Sequence, residues 1–494
     1  MKQFSFLIAL FVYLVQMSFS QSILVPNWTK YEESDLTGSA NHVEGWGVDV
    51  DSAGSVYWVV SANHIGQGLD IIGHKYDENG NDIWTTPFVY GGPGNQHAYV
   101  CKIKDTCLYI GGKTCSGGQL SCDMLLLNVD NDTKGLNWFQ TNGFSANGYD
   151  EVDGLEFLDD GIYCGGWSQE YESTIYENEI GLWKLDYSGT TEWTNYLGQA
   201  GTAEHQDGHF VVDENYIYAA GLWGGTGFAN LLNGHSFLGK FSLSDGAFVD
   251  STLFGTQSNF SDFENALSMT SDGEFLYITG YTTLPSTNNV QLFVTKYDKN
   301  LNQIWYFDWG GSQTENARGI AVKDDIIYIS GWTESASHLT GGVKDLVYLK
   351  ADTSGTVLSY QTWGGPEKDA PHDIVLHDDH VYITGTTTNA STGRKSAFLL
   401  AMNEETNNLN SIDANLFGFN FVPNPTNEEI HIQFNSELKE DALLSVIDGT
   451  GKVSVNSKIP SGTSNYNLKL QHPGVYSVLI ESGELRIVKK VVVL

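Results

Sequence analysis

The side chains best suited to chemistry recur at one place in a repeated segment. Gln96, Asp150, His205, Glu264, Glu315 and Asp369 each stand 16 residues before the glycine that ends a Tyr-x-x-Gly run. Glu44 is a looser counterpart upstream. A ring of carboxylates round one opening would hold Ca²⁺ or another hard cation through oxygen ligands. It would equally accept hydrogen bonds from sugar hydroxyls. The competing reading is structural, because Asp, Glu and Asn ahead of a strand also satisfy loop backbone groups. Repetition in every unit favours the structural role, since a binding site seldom uses all units alike. Trp167, Trp223, Tyr281 and Trp332 follow at the bases of the most variable loops. Their rings suit stacking on sugars or on peptide side chains, and equally suit packing of one sheet on the next. Packing is the favoured use of the rings as the structural role is of the acids; if the mouth is nevertheless a ligand site, its expected set is Asp150, His205, Glu264, Glu315 and Asp369 with these four aromatics.

No catalytic signature accompanies them. The chain has no Gly-x-Ser-x-Gly elbow, His-Glu-x-x-His pair or phosphate-binding loop. Asp77-x-Asn79-x-Asn81 fails as a calcium loop, with Asp82 where glycine is needed and Phe88 at the twelfth position. A facing pair of acids for glycoside hydrolysis stays open, because many Asp and Glu residues are available. The expectation is a binding protein with no cofactor and no enzymatic activity. A secreted hydrolase acting on polysaccharide and a structural or adhesion component are the alternatives. Of five cysteines, Cys115 and Cys122 flank one short loop and are the expected disulfide, with buried free thiols as the alternative.

The elements that position these residues are repeats. The Tyr-x-x-Gly runs end at Gly112, Gly166, Gly221, Gly280, Gly331 and Gly385, and Tyr57–Val60 is the same element without its glycine. Each of the seven units contains four strand-like runs, which predicts a seven-bladed β-propeller. Tight turns such as Asp77-Glu78-Asn79-Gly80 and Asp352-Thr353-Ser354-Gly355 join third to fourth strands. Asp starts the turn through its side chain and Gly takes the positive φ. A Trp commonly follows and is expected between neighbouring blades. Asn27–Tyr31 resembles a fourth strand placed ahead of the first unit, and the seventh unit has no clear Trp strand. The N-terminal strand is therefore expected to complete the last blade.

Charge and the two ends bound the setting. The chain carries 25 basic and 60 acidic residues, a formal charge of −35. Residues 419–494 hold seven basic and eight acidic ones; with Lys2 also set aside, residues 21–418 keep 17 against 52. Such a surface excludes nucleic acid and anionic lipid as main partners. Lys2, the apolar run Phe4–Met17 and Ser18-Phe19-Ser20 predict a signal peptide over 1–20. No later stretch is apolar enough to predict a transmembrane segment.

The phrasing Lys-x-Asp-x-x-Gly-x-x-x-Trp, Gly-Gly, Ile-Ala-Val, Ile-Tyr-Ile-x-Gly-x-Thr resembles the bacterial SBBP-type β-propeller repeat. It is best seen in Lys296–Gly331, although Leu301 replaces the turn glycine there. This resemblance covers about residues 28–405 and implies architecture, not activity. From residue 419 the pattern changes to short strands of a small Ig-like β-sandwich. Pro423-Asn424-Pro425, Asp448–Lys452, Gly474-Val475-Tyr476 and the terminal run from Lys489 and Lys490 resemble the sorting domain of the type IX secretion system. That resemblance implies engagement of the type IX machinery and passage through the periplasm and outer membrane. Release, or attachment at the outer cell surface, follows. An extracellular glycan or protein is then the expected ligand. The expected organisation is all-β: a propeller over 21–418 and a sorting domain over 419–494.

Overall fold

Runs that are apolar at nearly every position must be covered on both faces, and here they form the middle strands. Val56–Asn63 and Asp345–Asp352 are each buried at seven of eight residues. Outer strands such as Leu136–Asn142 are polar and expose every second residue or more. The computed structural model describes residues 22–34, 42–63, 68–92, 94–116, 121–143, 148–172, 175–198, 203–205, 210–225, 235–254, 264–284, 289–340, 342–389, 393–404, 419–421, 429–434, 437–438, 441–447, 453–470, 472, 474–482 and 485–493. The chain is all-β: strands make up almost all of its regular structure.

Four-stranded antiparallel meanders follow one another from Val43 to Asn403 in a β-propeller. Each packs face to face on the next. Tyr277 and Val294 of one meander share a core with Ile329 and Val347 of the following one. Trp58 and Ile72 of the first share a core with Tyr382 and Leu399 of the last. The strand Trp28–Glu33 pairs antiparallel with Lys395–Asn403, placing Trp28 opposite Ala401. A strand from before the first meander thus completes the last one, closing the propeller by hydrogen bonds. Ser22–Ile23 adds a short parallel edge to the strand Val357–Trp363.

One joint recurs between neighbouring sheets. Asp352 opens its turn by accepting the backbone N–H groups of Ser354 (3.0 Å) and Thr356 (2.8 Å) through one carboxylate oxygen. Gly355 then sits at φ +91°, and a Cβ there would lie 3.0 Å from the Trp305 indole of the preceding sheet. Trp305 lies flat on that glycine and donates Nε1–H to the Thr353 carbonyl at 3.1 Å. Trp28 makes the same joint with Gly80 (φ +79°) and the Glu78 carbonyl at 2.9 Å, across the place where the chain closes on itself. Trp138 on Gly189 and Trp193 on Gly246 repeat the stacking. Leu301 stands in for the glycine of another such turn at φ 65° and is buried.

Beyond Phe419 two further sheets face each other. Phe419–Phe421, Glu429–Phe434 and Asn465–Lys469 form one; Ala442–Ile447, Val453–Ile459, Gly474–Ser482 and Leu485–Val493 form the other. Ile430, Ile432, Leu444, Val446, Val478 and Ile480 fill the space between them.

Gly355→Ala places a Cβ in the left-handed region and against an indole, and should cost about 1–3 kcal/mol of stability. Trp305→Ala should cost about 3 kcal/mol by emptying the same joint. Urea unfolding of both variants checks this; unchanged midpoints would remove the joint from the account.

Candidate functional site

The repeated carboxylates lie inside the protein. Asp150, Glu315 and Asp369 are each at most 1% exposed. The reason is a register feature: each faces a hydroxyl residue across the first hairpin of its sheet, Ser168, Thr333 and Thr387 respectively. Ser168 donates to Asp150, Thr333 Oγ1 donates to Glu315 at 2.7 Å and Thr387 Oγ1 to Asp369 at 2.5 Å. The other oxygen takes a backbone N–H from the preceding Gly-Gly pair, Gly311 to Glu315 at 2.9 Å and Gly365 to Asp369 at 2.7 Å. A Cβ at Gly310 would fall 2.3 Å from the Glu315 carboxylate, so the glycine pair wraps the acid. Burial, with Asp345 nearby, pushes the Asp369 carboxyl up to about 6. Glu264 faces Thr282 in the same register, and His205 pairs with Leu222; their side chains are outside the described set.

The four aromatics have similar engagements. Trp167 donates to Glu151 and stacks on Tyr149 at 5.8 Å, and Trp223 tilts on Phe237 at 5.8 Å. Trp332 is covered by Lys344, whose Nζ lies 3.2 Å from its ring centroid. Tyr281 is opposite Asn265 in its hairpin. Cys115 and Cys122 form a disulfide between paired strands, while Cys101, Cys107 and Cys164 are free thiols. In the C-terminal sheets Tyr476 is buried and donates to the His472 carbonyl at 2.9 Å. Gly474 lies on an inner strand whose neighbour, the edge strand Leu485–Val493, carries Lys489 and Lys490; Pro423, Asn424 and Pro425 lie outside the described residues.

A different set converges on the axis. In the first hairpin of six sheets the register slips by one residue, a β-bulge, always at the same place. The bulged residues are Trp46, Tyr99, Asp153, Leu267, Arg318 and His372. A bulge re-aims its side chain out of the sheet. Here that brings together residues from sheets that are not neighbours: the Arg318 guanidinium lies 5.7 Å from the Trp46 ring, one whole sheet away in sequence order. Trp46 lies against His372 at 3.9 Å between centroids with the rings tilted by 40°, and meets Tyr99 edge-on at 5.2 Å. Its Nε1–H is donated to Glu44 at 3.1 Å, and Glu44 also pairs with His42 (3.3 Å) and Lys395 (3.5 Å). Burial opposes ionisation of Glu44, yet His42 and then Lys395 hold its carboxyl well below the usual range. Burial first, and Arg318 second, lower His372 to about 3, leaving a neutral imidazole. Its Nδ1 is buried with no hydrogen-bond partner among the described residues.

Sequence reasoning missed this ring. The signal was present: in five units the bulged residue stands 13 positions before the aligned glycine, varied in type between small or apolar neighbours such as Ala98/Val100 and Ala317/Gly319.

Farther along the same strands the channel holds a cavity of about 500 Å³, lined in part by Asp49, Lys102, Glu156 and Asp373. Asp373 accepts the Val48 N–H at 3.3 Å from the next sheet, and Asp49 accepts the Ile103 N–H at 2.7 Å from the one after. Lys102 reaches Glu156 at 2.5 Å, so three successive junctions carry a polar latch. Burial raises Asp49 to about 6 and Asp373 to about 7. Among the described residues no group of three or more His, Cys, Asp or Glu stands together as a metal site.

Residues 420–494 match the secretion system C-terminal sorting domain family, the sorting domain of type IX secretion. Its presence indicates export to the cell surface or beyond and engagement of the secretion machinery. No helix among the described residues is long and apolar enough to cross a membrane. No curated protein matches the chain. Solved structures with some likeness include the phage phi92 endosialidase (11% identity, TM-score 0.43, covering 94% of this chain and 87% of that one). Polysaccharide lyase Uly1 gives 11% identity, TM-score 0.43 and coverage of 78% and 99%. Drosophila Plexin A in complex with Semaphorin 1b gives 7%, 0.45, 79% and 89%. Likenesses this distant carry no argument about what this chain does.

The folded protein holds protons on Asp49 and Asp373 that the unfolded chain releases above about pH 4. Their contribution therefore falls as pH rises from about 4 towards 7 and is flat above it. Asp373→Asn should flatten the pH dependence of unfolding free energy in that window by up to a few kcal/mol. Denaturation series at pH 4.5 to 8 on both proteins measure the difference; parallel curves would contradict it.

Proposed function

We propose that this chain is an exported binding protein, a seven-bladed propeller of SBBP-type repeats followed by an Ig-like sorting domain, with its ligand seated at the mouth of the central channel. Seven successive meanders among the described residues and the return of the N-terminal strand to the last sheet support the blade count. The observation that carries the functional reading is the ring of bulged residues. The bulge recurs with a different residue in each sheet where it is described, as a site assembled from repeats requires. The buried carboxylates Asp150, Glu315 and Asp369 serve in this reading as staples that shape the loops round the mouth. Calcium has no part in it.

A second reading, hydrolysis of a polysaccharide, draws support from Asp49 and Asp373, two buried acids with raised pKa lining one cavity. Their bonds to backbone N–H groups of neighbouring sheets favour the latch role instead.

Glycan-array binding by the full chain tests both. Trp46→Ala should lower binding at least tenfold with the melting temperature within a few degrees of the parent, and chelator should change nothing. Release of reducing sugar by the parent and its loss in Asp49→Asn would favour the hydrolase.

A further inference from the structure

Residues 21–418 hold only two arginines, Arg318 and Arg394, among 52 acids. In such a domain a guanidinium near the surface would normally meet a carboxylate. Arg318 does not: it is half-buried on the channel axis, has no ion pair among the described residues and faces the Trp46 ring. Further cations gather beside it. Lys344, apart from its desolvation, is held down by Lys368 and Arg318, with Glu334 at 3.4 Å as its one ion-pair partner. Lys368 is exposed at the start of the neighbouring sheet and has no ion pair among the described residues. Lys395 lies close enough to His372, with Arg318, to disfavour its protonation. One sector of the mouth thus gathers cations that repel one another: Lys344 and Lys395 each meet a carboxylate, Glu334 and Glu44, while Arg318 and Lys368 have no ion pair among the described residues.

We infer that this sector binds an anionic saccharide, a sugar bearing a carboxylate or sulfate group, with the anion on Arg318 and the sugar ring among Trp46 and His372. The inference rests on the mouth being the binding site and adds the class of ligand. Arg318 offers five N–H donors in a planar fork that matches carboxylate and sulfate oxygens. Lys368 and Lys344 add long-range attraction that the rest of the surface would oppose. The aromatic rings supply apolar faces for the C–H side of a sugar. The orphaned Nδ1 of neutral His372 is a hydrogen-bond partner for a hydroxyl. An acidic peptide would use the arginine but leave that nitrogen and the ring faces idle.

The test is the affinity of the full chain for polygalacturonate, dextran sulfate, uncharged dextran and poly-glutamate. The expected result is binding of at least one anionic polysaccharide ten times or more tighter than dextran, and tighter than poly-glutamate. Arg318→Gln should weaken it at least tenfold and the exposed Lys368→Gln two- to fivefold. Lys323→Gln, at the far end of its strand, should leave it unchanged. Preference between the two charged polysaccharides identifies the anion. Equal binding of dextran, no binding of either anionic polymer, or full affinity in both Arg318→Gln and Lys368→Gln overturns the inference. Poly-glutamate binding that depends on Arg318 and exceeds both polysaccharides replaces the sugar with an acidic peptide. If a neutral glycan binds, is lost in Trp46→Ala and ignores Arg318→Gln, the anion assignment fails while the mouth site stands.

Discussion

The structure depends on a tryptophan laid flat on a glycine of the next sheet. A four-stranded sheet with two apolar faces cannot stand alone in water, and its covering sheet must come close without a side chain in the way. The Asp-x-x-Gly turn supplies that approach: Asp fixes the turn, and glycine accepts the positive φ and leaves room for an indole. The indole N–H then ties the joint to a carbonyl of the turn it covers, as in Trp305 to Thr353 and Trp28 to Glu78. The joint at Trp28 spans the closure of the chain on itself, so the N-terminal strand must be in place before the first and last sheets meet as the others do.

Closing the sheets into a ring forces the first strands together at the axis, and the chemistry of the channel follows. Close approach restricts the residues beside the bulge, as at Gly47, where a Cβ would lie 2.6 Å from the Cys101 backbone nitrogen. The bulge releases one side chain per sheet into the remaining space. Identity is therefore free at that position and constrained on either side of it. Polar latches from Asp373, Asp49 and Lys102 hold the successive inner strands below, at the cost of burying charge. The scaffold is repetitive while the ring it presents is not.

Much of this was legible in the sequence. Turn chemistry and the Tyr-x-x-Gly period are local, so the sheets and their order could be read from them, and the sorting tail carries its own pattern. The carboxylates 16 residues before each glycine were also legible, and their repetition favoured a structural role, but the partners that define it were not. Their partners Ser168, Thr333 and Thr387 lie 18 residues later, and only strand register reveals that each acid faces a hydroxyl. The bulged ring was hidden for a related reason. A bulge is one extra residue against a partner strand; nothing in a single strand's alternation marks it, and only the alignment of units, 13 positions before each glycine, carries its signal. Arg318 looked like one charge among many until the fold brought it over Trp46.

The central claim is that the bulged residues, and not the loops between second and third strands, receive the ligand. Hydrogen–deuterium exchange of the full chain with and without polygalacturonate tests it most directly. The account predicts new protection confined to segments 44–47, 97–100, 316–319 and 370–373. Protection on the loops 224–235 or 284–290, with those four segments unchanged, would contradict it.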